Sequence, residues 1–417
     1  MSYLAYAPEY IIFMNASQSV RAHDGVLRKK RMTGLKNKGA IVGIGETAVG
    51  KLPTMSSTGI QLEAIRLALK DAQLRPSEVD GLLAIQPADD PRRSYALSIA
   101  QAAGIRPNYA TDLALGGATP VAMIAHAVMA ISAGLCEVVV CVLGHKQATG
   151  RLGDRRGRLR DGLEDFEEPF GVLGAPAIHA AVAARHMYEY GTTSEQLAAV
   201  AVAARRHASL NANASMREPI TVKDVLDSRW IVKPFHLLDC CLVSDGGGAV
   251  VVTSSERARD LPQRPVYIRG FGEGHTQGPL ESPTLTTLGG KHSSEGAYRM
   301  AEVGPKDIDF AELYDCFTAI TIVTLEDYGF CAKGEGGPWA ENGRIETGGE
   351  LPVNTHGGLL SQAHIEGMLH ITEAVKQLRG DGVEVERQVK DAKLGIVSGH
   401  GANLGAHATL ILGRHLN

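Results

Sequence analysis

Hydrophobic positions along this chain fall into short β-branched runs separated by longer stretches of helical spacing. Gly39-Ala40-Ile41-Val42-Gly43-Ile44-Gly45 reads as a first strand ending in glycine. Apolar residues at Leu62, Ile65, Leu69 and Ala72 predict a helix over 58–72. Leu74 to Leu83 contains a proline turn that leads into a second strand. Gly116-Gly117 then opens a helix of small residues running to about Gly134, and Val138-Val139-Val140-Cys141-Val142 is a buried strand. Two further helices are expected over 175–190 and 194–211, the second with Ser194 as its N-cap. Asp245 to Val252 returns to a buried strand, where Gly246-Gly247-Gly248 serves packing and strand entry.

Near residue 266 the pattern begins again. Val266-Tyr267-Ile268-Arg269-Gly270-Phe271-Gly272 echoes the first strand, and 301–309 echoes 72–80. Gly357-Gly358 is expected to open a helix to about Leu378, as Gly116-Gly117 did. Lys393 to Ser398 is then a strand entering a glycine loop. Two such halves predict a duplicated α/β architecture. The expected division is a half over 32–260, carrying an inserted loop domain over about 145–235, and a half over 261–417. Residues 1–31 read as an extension outside the fold, with Met32 a plausible natural start.

Bulk composition adds little against this picture. The 417 residues include 21% charged residues and carry a formal charge of −4, which gives no reason to expect nucleic acid or an anionic membrane as partner. No apolar run reaches the roughly 18 residues of a membrane-spanning helix. The six cysteines (Cys136, Cys141, Cys240, Cys241, Cys316, Cys331) show no paired metal-ligand spacing, so no metal site is expected. They read as buried, reduced thiols of a cytoplasmic protein.

Several motifs, in order, resemble the thiolase superfamily and within it the sterol-carrier-type thiolases. The resemblance implies a five-layer α-β-α-β-α fold, a homodimer, and a CoA thioester as substrate with no resident cofactor. The nucleophile loop of that family matches Gly117-Ala118-Thr119-Pro120, which places Gly117 where the nucleophilic cysteine would stand. A glycine forms no acyl-enzyme, so ordinary acyl transfer is blocked at this position. The His-Asp-Cys-Phe loop matches Tyr314-Asp315-Cys316-Phe317, with Tyr314 replacing histidine. The loop ending in the family histidine matches 354–367, with Gly357 and Gly358 at its start and His364 in the histidine's place. The last loop matches Ser398-Gly399-His400-Gly401, without its base cysteine.

Steroid side-chain aldolases of this superfamily also lack the nucleophile, and they carry stretches similar to Leu313–Thr318 and Gly329–Glu335. They have a tyrosine where His364 stands. Such enzymes work with a small OB-fold, zinc-ribbon partner, which implies a separate polypeptide here. The implied chemistry is retro-aldol cleavage of a β-hydroxyacyl-CoA, which needs a base and a cradle for the enolate but no nucleophile. Tyr314 and His364 are the leading catalytic candidates. His356 and His400 are secondary ones, each open to a backbone partner. Gly117, Asp315, Cys316, Gly357, Gly358, Gly399 and Gly401 form the expected substrate and oxyanion loops. Thiolase-type acyl transfer with a displaced nucleophile and non-catalytic acyl-CoA or lipid binding are the alternative functions. The arginines of 151–160 have the chemistry for CoA phosphates, although interleaved Asp154 favours a solvated loop.

Overall fold

Strand β1 (Gly39–Glu46) lies next to helix α1 (Ser57–Ala72), and glycine is what lets them approach so closely. A Cβ on Gly45 would stand 2.4 Å from the carbonyl oxygen of Ala64. Ser56 caps α1 by accepting from the Gly59 N–H, and Gln73 closes it in the left-handed region. β2 (Gly81–Ala84), α2 (Tyr95–Ala102) and β3 (Tyr109–Asp112) lead to α3 (Thr119–Ser132), whose first turn accepts Pro120 because that position has no helical bond to lose. β4 (Val138–Lys146) is the valine-rich run.

Next come α4 (Gly174–Tyr190), α5 (Ser194–Leu210), α6 (Val222–Asp227) and the small hairpin β5 (Trp230–Val232) and β6 (Phe235–His236). β7 (Asp245–Ser254) completes the first half. The second half contains β8 (Val266–His275), α7 (Gly290–Ala301), β9 (Phe310–Glu312), α8 (Thr318–Asp327), α9 (Gly336–Ala340), α10 (Met368–Arg379), β10 (Leu394–Gly401) and β11 (Ala406–Gly413). The computed structural model describes residues 32–150, 168–276 and 284–416. The extension expected at 1–31 and the arginines of 151–160 lie outside the described residues. Residues Leu35–Asn417 form a single unit.

The sheet order β3-β2-β4-β7-β1-β8-β11-β10-β9 shows the duplication directly. Outward from the β1–β8 junction, each half repeats the same senses. β1–β7 and β8–β11 are antiparallel, as are β7–β4 and β11–β10, whereas β4–β2 and β10–β9 are parallel. Strand alternation defines the layers. Val139, Cys141 and Leu143 share a core with Val121 and Ile124 of α3 and with Met368, Ile371 and Val375 of α10. Val138, Val140 and Val142 face the other way, onto Ala64, Ile65 and Ala68 of α1. In the second half, Leu410 and Leu412 join the inner core, and Ile411 faces Ala297 of α7. Helices α3 and α10 are therefore a middle layer shared by both halves, with α1 and α7 outside. This is the five-layer arrangement.

Two local expectations need correction. The N-cap of α5 is Thr193, whose hydroxyl accepts from Gln196 N–H at 3.3 Å, and Ser194 is the first helical residue. No continuous helix runs from Gly357. Gly358–Gln362 makes a single π-type turn, 363–367 is extended or turned, and α10 begins only at Met368. Asp315 causes the break by capturing the Leu359 N–H at 2.8 Å and the Leu360 N–H at 3.4 Å. That break is what frees the 363–367 loop to line a site.

Candidate active site

Four loops meet at the N-terminal end of α3. The 115–118 turn is closed by Thr119, whose hydroxyl donates to the Gly116 carbonyl at 2.6 Å and accepts from Leu115 N–H at 2.7 Å. Gly116 carries a left-handed φ of 56°, whereas Gly117 does not, so backbone conformation does not explain a glycine at 117. Side-chain space explains it. A Cβ on Gly117 would lie 2.1 Å from Tyr314 Cζ and 2.2 Å from its hydroxyl oxygen. The phenol fills the volume where a nucleophilic side chain would project.

Tyr314 follows β9 and is held at both backbone ends. Its N–H donates to Ser398 Oγ at 2.8 Å, and the Asn354 amide grips the preceding Leu313 N–H and C=O at 2.6 and 2.8 Å. Its hydroxyl lies 3.2 Å from His364 Nε2. Burial, helped by Cys316, Glu366 and other neighbouring groups, pushes the phenol well above its ordinary value, so it stays protonated. Burial and the neighbouring His145 ring pull His364 down to about 4, leaving it neutral near pH 7. The His364 carbonyl accepts from His145 Nε2–H at 3.0 Å, and its N–H donates to Ser244 Oγ at 3.2 Å. Tyr314 and His364 thus form a neutral, hydrogen-bonded acid–base couple with its backbone fixed.

The other expected residues divide by position. Gly399 belongs to the site: its Cβ would stand 2.8 Å from Ala118 Cα, and a Cβ on Gly401 would stand 2.0 Å from the Leu115 carbonyl. Gly399 and Gly401 both face the 115–118 turn, their Cβ positions 2.9 Å from the Gly117 carbonyl oxygen and 2.7 Å from the Gly117 nitrogen. Gly357 and Gly358 carry φ of 106° and 61°, and a Cβ on Gly358 would strike Asp315 Oδ2 at 2.0 Å. Asp315 is an anchor: besides the π-turn it takes His370 Nε2 at 3.2 Å.

His356 is not brought to the pocket. It sits behind His370, ring to ring at 4.6 Å, and faces Glu312 Oε2 at 2.8 Å, so its partner is a carboxylate and not backbone. Burial opposes its charge, yet Glu312 together with Glu373 and Asp315 holds His356 above its ordinary value.

His400 alternates to the face opposite Gly399. His179 Nδ1–H donates to the Ala175 carbonyl at 2.7 Å, which leaves its Nε2 an acceptor for His400 Nε2–H at 2.9 Å. His400 Nδ1 then accepts from His407 Nε2 at 3.2 Å. Burial, helped by its histidine neighbours, keeps His400 neutral. Both its nitrogens are committed, so its partners are imidazoles, not the backbone, and it buttresses the site. Cys316 lies beside this chain, its ligand atom within 4.8 Å of those of His179 and His400, and burial pushes its thiol well up.

Sequence reasoning missed His145, Ser244 and His179. They come from β4, the loop before β7 and α4, far from any recognised motif, and only spatial proximity identifies them.

A buried polar network supports the 354–358 loop. Thr355 Oγ1 bridges Glu312 and Glu373 at 2.9 and 2.7 Å, and Arg387 reaches Glu373 at 2.5 Å and the Thr355 carbonyl at 3.0 Å. Burial disfavours the Glu373 carboxylate, but Arg387 holds it charged. Arg387→Met strands that charge and is expected to destabilise the fold by about 3–5 kcal/mol. Urea unfolding of both forms measures this.

The thiolase C-terminal domain-like family matches residues 272–414. The steroid side-chain-cleaving aldolase of Thermomonospora curvata is 41% identical over 84% of this chain and 93% of its own length. The chain belongs to the thiolase superfamily. Another relative in this thiolase superfamily, the 17-hydroxy-3-oxo-4-pregnene-20-carboxyl-CoA lyase of Mycobacterium tuberculosis, is 40% identical over 84% of this chain and 93% of its own. Among solved thiolase-superfamily structures, the Ltp2-ChsH2(DUF35) aldolase aligns with a TM-score of 0.83 and 37% identity, covering 91% of this chain and 98% of that one.

Proposed function

We propose that this chain is a retro-aldolase that cleaves the bond between the α and β carbons of a β-hydroxyacyl-CoA. The observation that carries this is the Tyr314 phenol in the volume a side chain at position 117 would need, with His364 on its hydroxyl. Acyl transfer through residue 117 has no atom to attack with. General acid–base chemistry has a couple in place.

In the proposed reaction the β-hydroxyl gives its proton to the Tyr314 oxygen as Tyr314 passes its own to His364 Nε2. No free phenolate forms, which the raised phenol requires. The C–C bond electrons move into the thioester, and the developing enolate lies at the positive end of α3. The lyase and aldolase relatives support a steroid side-chain ester as the acyl group. The DUF35 component of the related Ltp2-ChsH2(DUF35) aldolase supports a small OB-fold, zinc-ribbon protein as partner.

Retro-aldol cleavage consumes no free CoA, whereas thiolysis consumes one per turnover. The rate of β-hydroxyacyl-CoA loss is expected to be independent of added CoA. A rate that rises from zero with CoA would reject the reading. His364 must be unprotonated to accept a proton, so kcat/KM is expected to stay flat through neutrality and fall as pH drops toward about 4. A pH profile with its acid limb near the ordinary histidine value would remove His364 as the acceptor.

A further inference from the structure

Retro-aldol chemistry leaves a carbanion equivalent at Cα, and neither Tyr314 nor His364 is assigned to protonate it. We propose that Glu366 is the acid that delivers this proton. The inference rests on the retro-aldol reading above.

Three features mark Glu366. It lies two residues past His364, in the loop freed by the break before α10, and Gly367 next to it would place a Cβ 3.2 Å from Tyr314 Cδ2. Its backbone is in the left-handed region, with φ of 44°, which costs a glutamate about 1–3 kcal/mol and persists only where packing imposes it. Its carboxyl forms no hydrogen bond or ion pair among the described residues, and it lines a cavity of about 180 Å³ with Gln86, Asp89, Gly144, His145 and Lys146.

That cavity lies at the carboxyl ends of the parallel strands β2 and β4, where open α/β sheets take their ligands. His145 ties it to the catalytic couple through the His364 carbonyl at 3.0 Å. His145 bears on the Glu366 charge, Glu366 in turn bears on the Tyr314 phenol, and Asp89 and Lys146 line the same cavity. Burial outweighs the attraction of His145 and raises the Glu366 carboxyl, which favours the protonated acid.

The protons balance. The β-hydroxyl proton goes to His364 by way of Tyr314, the α–β bond breaks to a carbonyl and a thioester enolate, and the Glu366 O–H proton goes to Cα. The carboxylate then regains a proton from the His364 imidazolium through water. Run backwards, the same carboxylate removes an α-hydrogen from a saturated acyl-CoA.

The test is hydrogen–deuterium exchange at Cα of acetyl-CoA and propionyl-CoA in D₂O, without any carbonyl partner, read by NMR. The complete chain with its partner protein is expected to exchange the α-hydrogens. Glu366→Gln is expected to slow exchange by about a hundredfold or more, with Glu366→Asp partly restoring it. Exchange at the wild-type rate in Glu366→Gln, or none in the wild type, overturns the assignment. Failure of the wild type to cleave a β-hydroxyacyl-CoA would instead sink the retro-aldol reading, whatever the exchange shows.

Discussion

Tyr314→Phe is expected to lower kcat for β-hydroxyacyl-CoA cleavage by about 10²- to 10⁴-fold, with KM little changed. That is about 3–5 kcal/mol of transition-state stabilisation. The substitution removes one oxygen and keeps the ring that packs beside His370 at 6.3 Å and His400 at 5.9 Å, so the fold is expected to be unaffected. The 3.2 Å bond to His364 is what disappears. His364→Ala is expected to cost a similar factor. The double variant is expected to be little worse than either single one, because the two act as one couple. Steady-state kinetics on the four proteins checks this. Additive losses would mean the two side chains work separately.

Gly117→Ala is expected to be as damaging as removing the tyrosine hydroxyl, although it adds only a methyl group. The new Cβ would lie 2.1 Å from Tyr314 Cζ, far inside contact distance, so the phenol must leave its place. Overpacking is expected to cost about 1–3 kcal/mol of stability, and displacement of the hydroxyl from His364 is expected to abolish cleavage. The complementary experiment rebuilds the superfamily pair. Gly117→Cys with Tyr314→His removes the phenol that blocks position 117. Its new thiol is expected to be alkylated by iodoacetamide at residue 117, while retro-aldol activity is lost. If Gly117→Cys alone kept both its activity and an alkylatable thiol, the exclusion between Tyr314 and a side chain at 117 would be wrong.

That exclusion also shows how far the sequence could be read. Strand and helix spacing, with the repeat near residue 266, were legible because burial on alternate faces leaves period-two and helical patterns. The paired senses around β1 and β8 then follow. The glycine at 117 was visible as a missing nucleophile, but its cause was not, since Tyr314 lies almost two hundred residues further on. The Gly357-Gly358 pair was misread because nothing nearby announces that Asp315 will capture the amides of the following turn. Ser194 and Thr193 are both competent caps, and only backbone geometry chooses between them. His400 resembled a site residue by its place in a loop, yet strand alternation turns it toward His179 and His407. Glu366 carried no signal at all, because its strained backbone and its cavity are properties of the assembled loops.

The most direct test of the account is product identification by mass spectrometry. The purified chain, with and without the proposed OB-fold partner, is given a β-hydroxyacyl-CoA alone and, separately, a β-ketoacyl-CoA with free CoA. A ketone or aldehyde plus a shortened acyl-CoA is expected from the hydroxy ester and nothing from the keto ester. Cleavage of the keto ester alone would contradict it, because a nucleophile other than residue 117 would then have to be carrying out thiolysis.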